Sequence, residues 1–197
     1  MATARTVGLL LFPGFEPLDA FGPVEAFAIA ERDGAAPFHV VAIAERADPV
    51  PMRGGPRALP DHTLEAAPPL DLLLVPGGPG TRTAYADAEL RAFLRAQATR
   101  VEVLASVCTG AALLGAAGLL DGLPATTNRR SFDWVVSVSS PSVKWDRSAR
   151  YVDAGRVVTS AGVSAGTDMA LHLVARLAGE DVAQAAAMRM EYRWERG

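Results

Sequence analysis

Apolar residues along this chain follow two patterns, short continuous runs and longer stretches with helical spacing. Continuous apolar runs are typical of strands that are buried on both faces of a parallel sheet. Such runs occupy residues 6–12, 38–44, 70–75, 103–107, 143–145, 151–152 and 157–160. Apolar residues three and four positions apart, or runs of helix-forming residues, predict helices. These patterns mark residues 18–32, 87–99, 109–117, 131–138, 164–177 and 181–194.

Three segments allow more detailed predictions. The first predicted helix carries one apolar stripe, which is expected to face the core. The stripe consists of Leu18, Phe21, Val24, Ala28 and Ile29. Ser164 is a candidate N-cap for the helix that follows it, because its hydroxyl can accept hydrogen bonds from free amides. Residues 48–69 contain six prolines and little periodicity, so short strands and turns, with a hairpin at a sheet edge, are expected there.

Predicted strands and helices alternate through most of the chain. This order predicts an α/β fold, with a mainly parallel sheet covered by helices on both faces. The length of 197 residues predicts a single domain, residues 1–197. Ligands of such folds bind beyond the carboxyl ends of the strands. Residues 13–19, 76–80 and 108–109 all follow predicted strands, so they are expected to meet at one edge of the sheet.

Composition and charge exclude several classes of function. The net charge is −3 and no long basic run occurs, which argues against a nucleic-acid partner. A single cysteine excludes a disulfide framework and a multi-cysteine metal site, and it fits a reducing compartment. The apolar run at residues 7–12 is too short for a signal peptide or a membrane span. A cytoplasmic protein without a membrane partner is therefore expected.

The single cysteine, Cys108, lies where the predicted strand 103–107 turns into the next helix. An isolated cysteine is more often a buried, inert side chain. At this junction, however, small neighbours would let a strained residue point into a pocket, as in a nucleophile elbow. The amides that begin the helix are expected to stabilise the thiolate and lower the pKa of Cys108. The position therefore favours a nucleophile.

Two further segments supply candidate partners for the cysteine. Gly77 and Gly78 could form a plain turn, but a glycine also lets the Gly78 amide approach a ligand and pair with the Thr109 amide as an oxyanion hole. Asp19 could be a helix-capping carboxylate, with Glu16 and Glu25 as competitors for any acidic role. If the Asp19 carboxyl instead faces a thiolate, its pKa must be raised and it becomes a general acid.

Histidine and metal chemistry have weaker support. His39 lies in a predicted strand, His62 in the proline-rich stretch and His172 inside a predicted helix, so all three are expected to be structural or exposed. One cysteine and scattered histidines do not make a metal-ligand set. Aromatic residues could line an apolar pocket or a dimer interface, although simple packing is the more common role. These are Phe15, Phe21, Trp134 and Trp145.

Four stretches together resemble the ThiJ/PfpI superfamily, which is related to the class I glutamine amidotransferases. They are LLLFPGFEPLDAFGPVEAF, DLLLVPGGPGTR, ASVCTGAALLGAAGLLDGLPATT and TSAGVSAGTDMALHLV, which span nearly the whole chain. Within the superfamily the chain is most similar to the isonitrile hydratases. The resemblance implies a doubly wound, flavodoxin-like sandwich, a homodimer, a small-molecule substrate and no cofactor. It also implies catalytic roles for Cys108, Asp19 and Thr109.

One position departs from the superfamily pattern. Many relatives have a histidine twenty residues after the cysteine, where this chain has Asn128. The missing base argues against protease or amidase chemistry and leaves hydration of an isonitrile, through a cysteine thioimidate, as the leading hypothesis. The alternatives are a cysteine redox sensor, a glyoxalase- or deglycase-like enzyme, and the ligand domain of an AraC-type regulator. The regulator is disfavoured because the sequence stops soon after the last predicted helix.

Overall fold

A seven-stranded sheet forms the centre of the structure, a computed structural model that describes residues 4–196. The strands are β1 (Arg5–Leu11), β2 (Phe38–Ala44), β3 (Val50–Pro51), β4 (Arg57–Ala58), β5 (His62–Thr63), β6 (Leu72–Val75), β7 (Val103–Val107), β8 (Pro124–Ala125), β9 (Lys144–Trp145), β10 (Tyr151–Asp153) and β11 (Val157–Ser160). The order in the main sheet is β10-β11-β7-β6-β1-β2-β5, and only β10 runs antiparallel to its neighbour. The ends of the predicted domain, residues 1–3 and 197, lie outside the described residues.

The helices form two groups around this sheet. They are α1 (Pro17–Ile29), α2 (Thr81–Ala84), α3 (Ala88–Ala98), α4 (Ala111–Ala116), α5 (Phe132–Ser137), α6 (Ala165–Ala178) and α7 (Glu180–Arg189). Helices α1, α6 and α7 pack on one another, and α4 packs on α2, α3 and α5. The predicted α/β class with a mainly parallel sheet is therefore confirmed. Every residue of β6 and β7 is buried, which explains their continuous apolar sequences.

The apolar stripe of the first predicted helix packs on the core only in part, through Val24 and Ile29. Helix α1 ends at Ile29, and its buried residues are Asp19, Ala20, Gly22, Pro23, Ala26 and Phe27. Leu18 and Phe21, which head the predicted stripe, are 48% and 41% exposed. Both sides of this helix are apolar, and the side with smaller residues is the one that approaches α6. The leucine and phenylalanine are thus left as an apolar surface.

Other boundaries also differ from the prediction. A hairpin does form in residues 48–69, but its strands β3 and β4 make a separate two-stranded sheet, and β5 takes the edge of the main sheet. Helix α7 ends at Arg189 rather than at residue 194. Ser164 precedes α6 as predicted, but within residues 4–196 its side chain caps no amide. Its hydroxyl instead accepts a hydrogen bond from Arg150.

A buried carboxylate ties the end of the described chain to α6. Asp168 is fully buried, accepts hydrogen bonds from Arg150 (2.6 Å) and Tyr192 (3.2 Å), and accepts the Glu195 amide at 2.8 Å. Removing one partner from a buried charge costs more than the pair contributes, because the other charge stays without compensation.

We therefore expect Arg150→Ala to lower the free energy of unfolding by about 3 kcal/mol, measured by urea denaturation. The matched control is Arg147→Ala, whose partner Asp133 is exposed and whose loss should cost less than about 1 kcal/mol. Equal losses for the two variants would contradict the assigned role of the buried carboxylate.

Candidate active site

Three loops meet where the central strands end. The loop after β1 leads into α1, whose first turn carries Asp19, the loop after β6 carries Gly77 and Gly78, and β7 runs directly into Cys108. Strand β6 lies between β1 and β7 in the sheet, so the glycine loop lies between the acid and the cysteine. The expected meeting of these segments at one sheet edge is therefore found.

The backbone at Cys108 has the strained geometry of an elbow. Its φ is +57°, a left-handed value that is uncommon for residues other than glycine. The surrounding structure holds it there from both sides, since the Cys108 amide donates to Ala161 O at 3.0 Å and its carbonyl accepts the Thr127 hydroxyl at 2.7 Å. Gly110 is required two residues later, because a Cβ there would lie 2.3 Å from Val75 O.

Asp19 is fully buried at the start of α1. Its Oδ2 accepts the Gly77 amide at 3.1 Å, whereas its Oδ1 has no hydrogen-bond partner among residues 4–196. Burial raises the pKa of this carboxyl from 3.8 to about 7, although interactions with the Cys108 thiol and the Gly77 amide oppose the shift. The predicted raised pKa is confirmed, and the cause is loss of solvent.

The predicted low pKa of Cys108 is wrong for this structure. Burial, and then the negative charge of Asp19, raise the pKa of the thiol from 9.0 to about 12. The Thr109 and Val163 amides act in the opposite direction but are outweighed. The turn after the cysteine is a single 3₁₀ turn followed by the six-residue α4, so the helix contributes little. The resting group is therefore a thiol beside an acid that titrates near neutral pH.

The predicted oxyanion hole is also not formed as expected. The Gly78 amide donates to the Thr109 hydroxyl oxygen at 3.0 Å, and the Gly77 amide is taken by Asp19. Thr81 donates from its own hydroxyl to the same Thr109 oxygen, also at 3.0 Å. The two glycines therefore position the acid and the threonine, and of the predicted pair only the Thr109 amide faces the sulfur.

A cavity of about 600 Å³ opens above the sulfur. Its lining consists of Glu16, Arg53, Gly78, Pro79, Thr81, Arg82, Cys108, Thr109, Asn128, Arg130, Ser131 and Val163. Glu16, one competitor for the acidic role, is occupied by an ion pair with Arg53 at 2.6 Å. Glu25, the other competitor, is exposed on α1. Asp19 is thus the carboxyl that meets the cysteine.

Asn128, the position at which the chain departs from the superfamily pattern described above, stands in the cavity wall. Its Oδ1 accepts the amides of Arg130 and Ser131 at 3.0 and 3.2 Å, so it caps the turn that leads into α5. This side chain has a local structural use and cannot act as a base.

The three histidines lie elsewhere. None lines the cavity within residues 4–196, His39 is exposed, and His172 pairs with Asp153 at 2.7 Å. Over the same residues, no cluster of three or more His, Cys, Asp or Glu side chains could hold a metal ion. No described helix has the length and apolar character needed to cross a membrane.

The four candidate aromatics have different environments. Phe15 is fully buried, and its ring meets the exposed Phe21 edge to face. Trp134 lies under the Arg82 guanidinium beside the cavity, and Trp145 packs on Phe132.

Several residues at the site were missed by sequence reasoning. Thr127 and Ala161 hold the strained cysteine, and Thr81 holds Thr109. Val163 has a φ of +37° and lines the cavity, where its amide slightly opposes the raised pKa values of Asp19 and Cys108. Only Thr127 could have been suspected from the sequence, because it directly precedes Asn128, the position that departs from the superfamily pattern. The others act through backbone groups or through a contact between distant loops.

Comparison with known proteins identifies a family and several similar proteins. The DJ-1/PfpI family profile matches residues 5–176. An isonitrile hydratase from Pseudomonas putida is 36% identical over 189 residues, which cover 96% of this chain and 79% of the relative. A THiJ/PfpI family protein from Pseudomonas syringae has a solved structure with a TM-score of 0.87 and 32% identity, covering 98% of this chain and 77% of that one.

Regulators of transcription also match. The HTH-type transcriptional regulator GbdR from Pseudomonas aeruginosa is 28% identical over 191 residues. The match covers 95% of this chain but only 51% of the regulator. The fold is therefore shared by enzymes and by parts of regulators, and the choice between them depends on the site.

Proposed function

The chain belongs to the DJ-1/PfpI family, and we propose that it is an enzyme that hydrates isonitriles, R–NC, to N-substituted formamides. One observation carries this proposal. A buried carboxyl with a pKa of about 7 lies beside a strained cysteine in a cavity whose described lining contains no histidine. Isonitrile hydration needs a proton donor and a nucleophile, whereas amide hydrolysis also needs a base to activate the nucleophile.

In the first step the S–H bond of Cys108 adds across the terminal carbon of the isonitrile. That carbon is carbene-like and accepts a proton from Asp19 while Sγ forms the new S–C bond. The thiol proton passes to the carboxyl, which ends the step protonated again. The product is a thioimidate, R–N=CH–S–Cys. A thiol with a high pKa is suitable here, because its proton leaves only as the carbon is protonated.

In the second step water attacks the thioimidate carbon. One proton of the water moves to nitrogen and the other returns to sulfur as the C–S bond breaks. The products are R–NH–CHO and free Cys108, so the two steps together add one water. Thr109 would position the reacting group through its amide, which already faces the sulfur. Covalent catalysis thus divides one difficult addition into two easier ones.

The direct test is formamide production from a panel of alkyl and aryl isonitriles, followed by NMR. At least one member should be turned over with kcat/KM in the ordinary range for enzymes, above about 10⁴ M⁻¹s⁻¹. A thioimidate adduct on the single cysteine should be trapped by mass spectrometry after rapid acid quench. Absence of both turnover and adduct across the panel would overturn the proposal.

Gly77 gives a sharper test of the site geometry. A Cβ there would lie 2.5 Å from Thr109 N and 2.8 Å from Asp19 Oδ2, so Gly77→Ala must displace the acid or the threonine. A displacement of about 1 Å costs about 10²-fold in rate, and we expect a loss of that size in kcat/KM for hydration. The control is Gly122→Ala in a remote turn, where the added Cβ meets open space; its φ of +75° makes alanine strained there, so stability should fall while kcat/KM stays unchanged. Unchanged kinetics in Gly77→Ala would contradict the assigned arrangement.

The alternatives have less support from the site. A redox sensor needs an accessible thiolate, but Cys108 is 7% exposed and its pKa is raised. Glyoxalase or deglycase chemistry would lack the base that Asn128 replaces. For a regulator's ligand domain, turnover by the isolated chain is the discriminating measurement.

We further propose that the protein is a cytoplasmic homodimer. The exposed Leu18 and Phe21 on α1 would supply an apolar part of the interface. Light scattering should give twice the mass of one 20.6 kDa chain, and Leu18→Lys combined with Phe21→Lys should shift the distribution toward monomer.

A further inference from the structure

The cavity above Cys108 is strongly cationic at its mouth. Three guanidinium groups line it, those of Arg53, Arg82 and Arg130, against the single carboxylate of Glu16. The whole chain, by contrast, has a net charge of −3. Positive charge is therefore concentrated around the cavity that opens above the sulfur. A cleft lined by one sign of charge raises the local concentration of oppositely charged ligands.

Two of the three arginines have no acidic partner. The Arg53 guanidinium forms an ion pair with the Glu16 carboxylate at 2.6 Å. Within residues 4–196, neither Arg82 nor Arg130 makes an ion pair. The two free guanidiniums are thus available to a ligand.

The side chain of Arg82 and the backbone of Arg130 are both held in place at the cavity. The Arg82 guanidinium lies 3.7 Å from the centre of the Trp134 ring, and stacking leaves its N–H groups directed outward in the plane. The Arg130 backbone is fixed because its amide donates to Asn128 Oδ1 at 3.0 Å. Each guanidinium presents a planar fork of donors that matches the oxygens of a carboxylate or phosphate.

We propose that Arg82 and Arg130 form an anion-binding subsite, and that the enzyme prefers isonitriles whose R group carries a carboxylate or phosphate. The inference rests on the proposed isonitrile hydration for its substrate, while the subsite itself rests on the two arginines. With its isonitrile carbon at Sγ, such a substrate would extend through the 600 Å³ cavity and place its anionic end at the mouth. The anion would orient the molecule, and the same two arginines would repel a cationic R group, while the Glu16 carboxylate is already paired with Arg53.

The first experiment compares 4-isocyanobenzoate with its neutral methyl ester. We expect kcat/KM to be about tenfold higher for the carboxylate at low salt, with the ratio falling as sodium chloride screens the exposed arginines. The variants Arg82→Gln, Arg130→Gln and the double variant should lower this ratio, the double variant to near one. The matched control is Arg100→Gln, which removes an equal charge before the start of β7, at the opposite end of that strand from Cys108. Benzoate and phenyl phosphate, compared as competitive inhibitors, identify the preferred anion.

The second experiment does not depend on isonitrile chemistry. Iodoacetate and iodoacetamide alkylate the single cysteine with loss of iodide and differ mainly in charge. We divide the alkylation rate of iodoacetate by that of iodoacetamide, first for the protein and then for 2-mercaptoethanol. The ratio for the protein should exceed the ratio for 2-mercaptoethanol more than about fivefold, and this excess should fall in the double variant. A raised rate ratio without isonitrile turnover would retain the anion subsite and reject the hydratase. Turnover of the methyl ester, with no preference for the carboxylate and no raised rate ratio, would overturn the subsite and retain the hydratase.

Discussion

Replacing Cys108 with alanine is expected to abolish formamide production. The nucleophile forms the covalent intermediate, and removal of such a group typically costs about 10⁴-fold or more in kcat. The measurement is kcat/KM with the best isonitrile of the panel, together with the loss of the trapped adduct. Alanine keeps the Cβ that causes the backbone strain at φ +57°. The substitution therefore neither adds nor relieves much strain, and the fold should persist.

Cys108→Ser is the matched control, because it keeps the size and the hydrogen-bonding geometry. Its hydroxyl is a weaker nucleophile, and we expect it to be nearly as inactive as alanine. Both variants should give a far-UV circular dichroism spectrum like that of the wild type. Retention of most activity by Cys108→Ala would reject the covalent mechanism, whatever the behaviour of the serine variant.

Asp19→Asn is expected to have the second largest effect. The proton donor is lost while the shape is kept, and general acid catalysis contributes about 10²- to 10⁴-fold. In the wild type, kcat/KM for a neutral isonitrile should fall as the pH rises through about 7, because Asp19 then loses its proton. The residual activity of the variant should lack this decline. A wild-type profile that stays flat from pH 6 to 9 would contradict the assignment of the acid.

Asp19→Asn should lower activity but raise the free energy of unfolding at alkaline pH. The folded pKa of Asp19 is raised from 3.8 to about 7, so the folded state binds this proton more tightly than the unfolded chain does. Its stabilising contribution is complete below pH 3.8 and is lost as the pH rises through 7. Asparagine avoids the buried charge, so at pH 8 Asp19→Asn should be more stable than the wild type by up to about 4 kcal/mol. A less stable variant would indicate that the carboxylate is well solvated.

The sequence was informative where one physical effect dominates. Continuous apolar residues predicted the buried strand Val103–Val107 to the residue, because both faces of that strand are covered. It was less informative where two effects compete. Helix α1 has apolar residues on both sides, and periodicity does not tell which side packs on α6. At Cys108 the helix terminus and burial shift the pKa in opposite directions, and burial dominates.

The details of the site depend on contacts between distant loops. The strand order predicted that Gly77, Gly78 and Thr109 would meet at one edge of the sheet, and they do lie together there. Their hydrogen bonds could not be predicted from the sequence. The Gly78 amide donates to the Thr109 hydroxyl only because the loops after β6 and β7 lie side by side in the folded chain. Positions could thus be inferred from topology, but the partner of each amide could not.

The placement of β6 between β1 and β7 has an evolutionary consequence. Neighbouring strands of a sheet are spaced about 4.8 Å apart by their backbone hydrogen bonds, whatever their side chains are. Cys108 directly follows β7 and Asp19 is held by the Gly77 amide from the loop after β6, so the spacing of these strands fixes much of the separation between acid and nucleophile. Arg53, Arg82 and Arg130, by contrast, lie outside the main sheet. Such a protein can acquire new substrates by changing the rim of its cavity while its reaction centre stays constant.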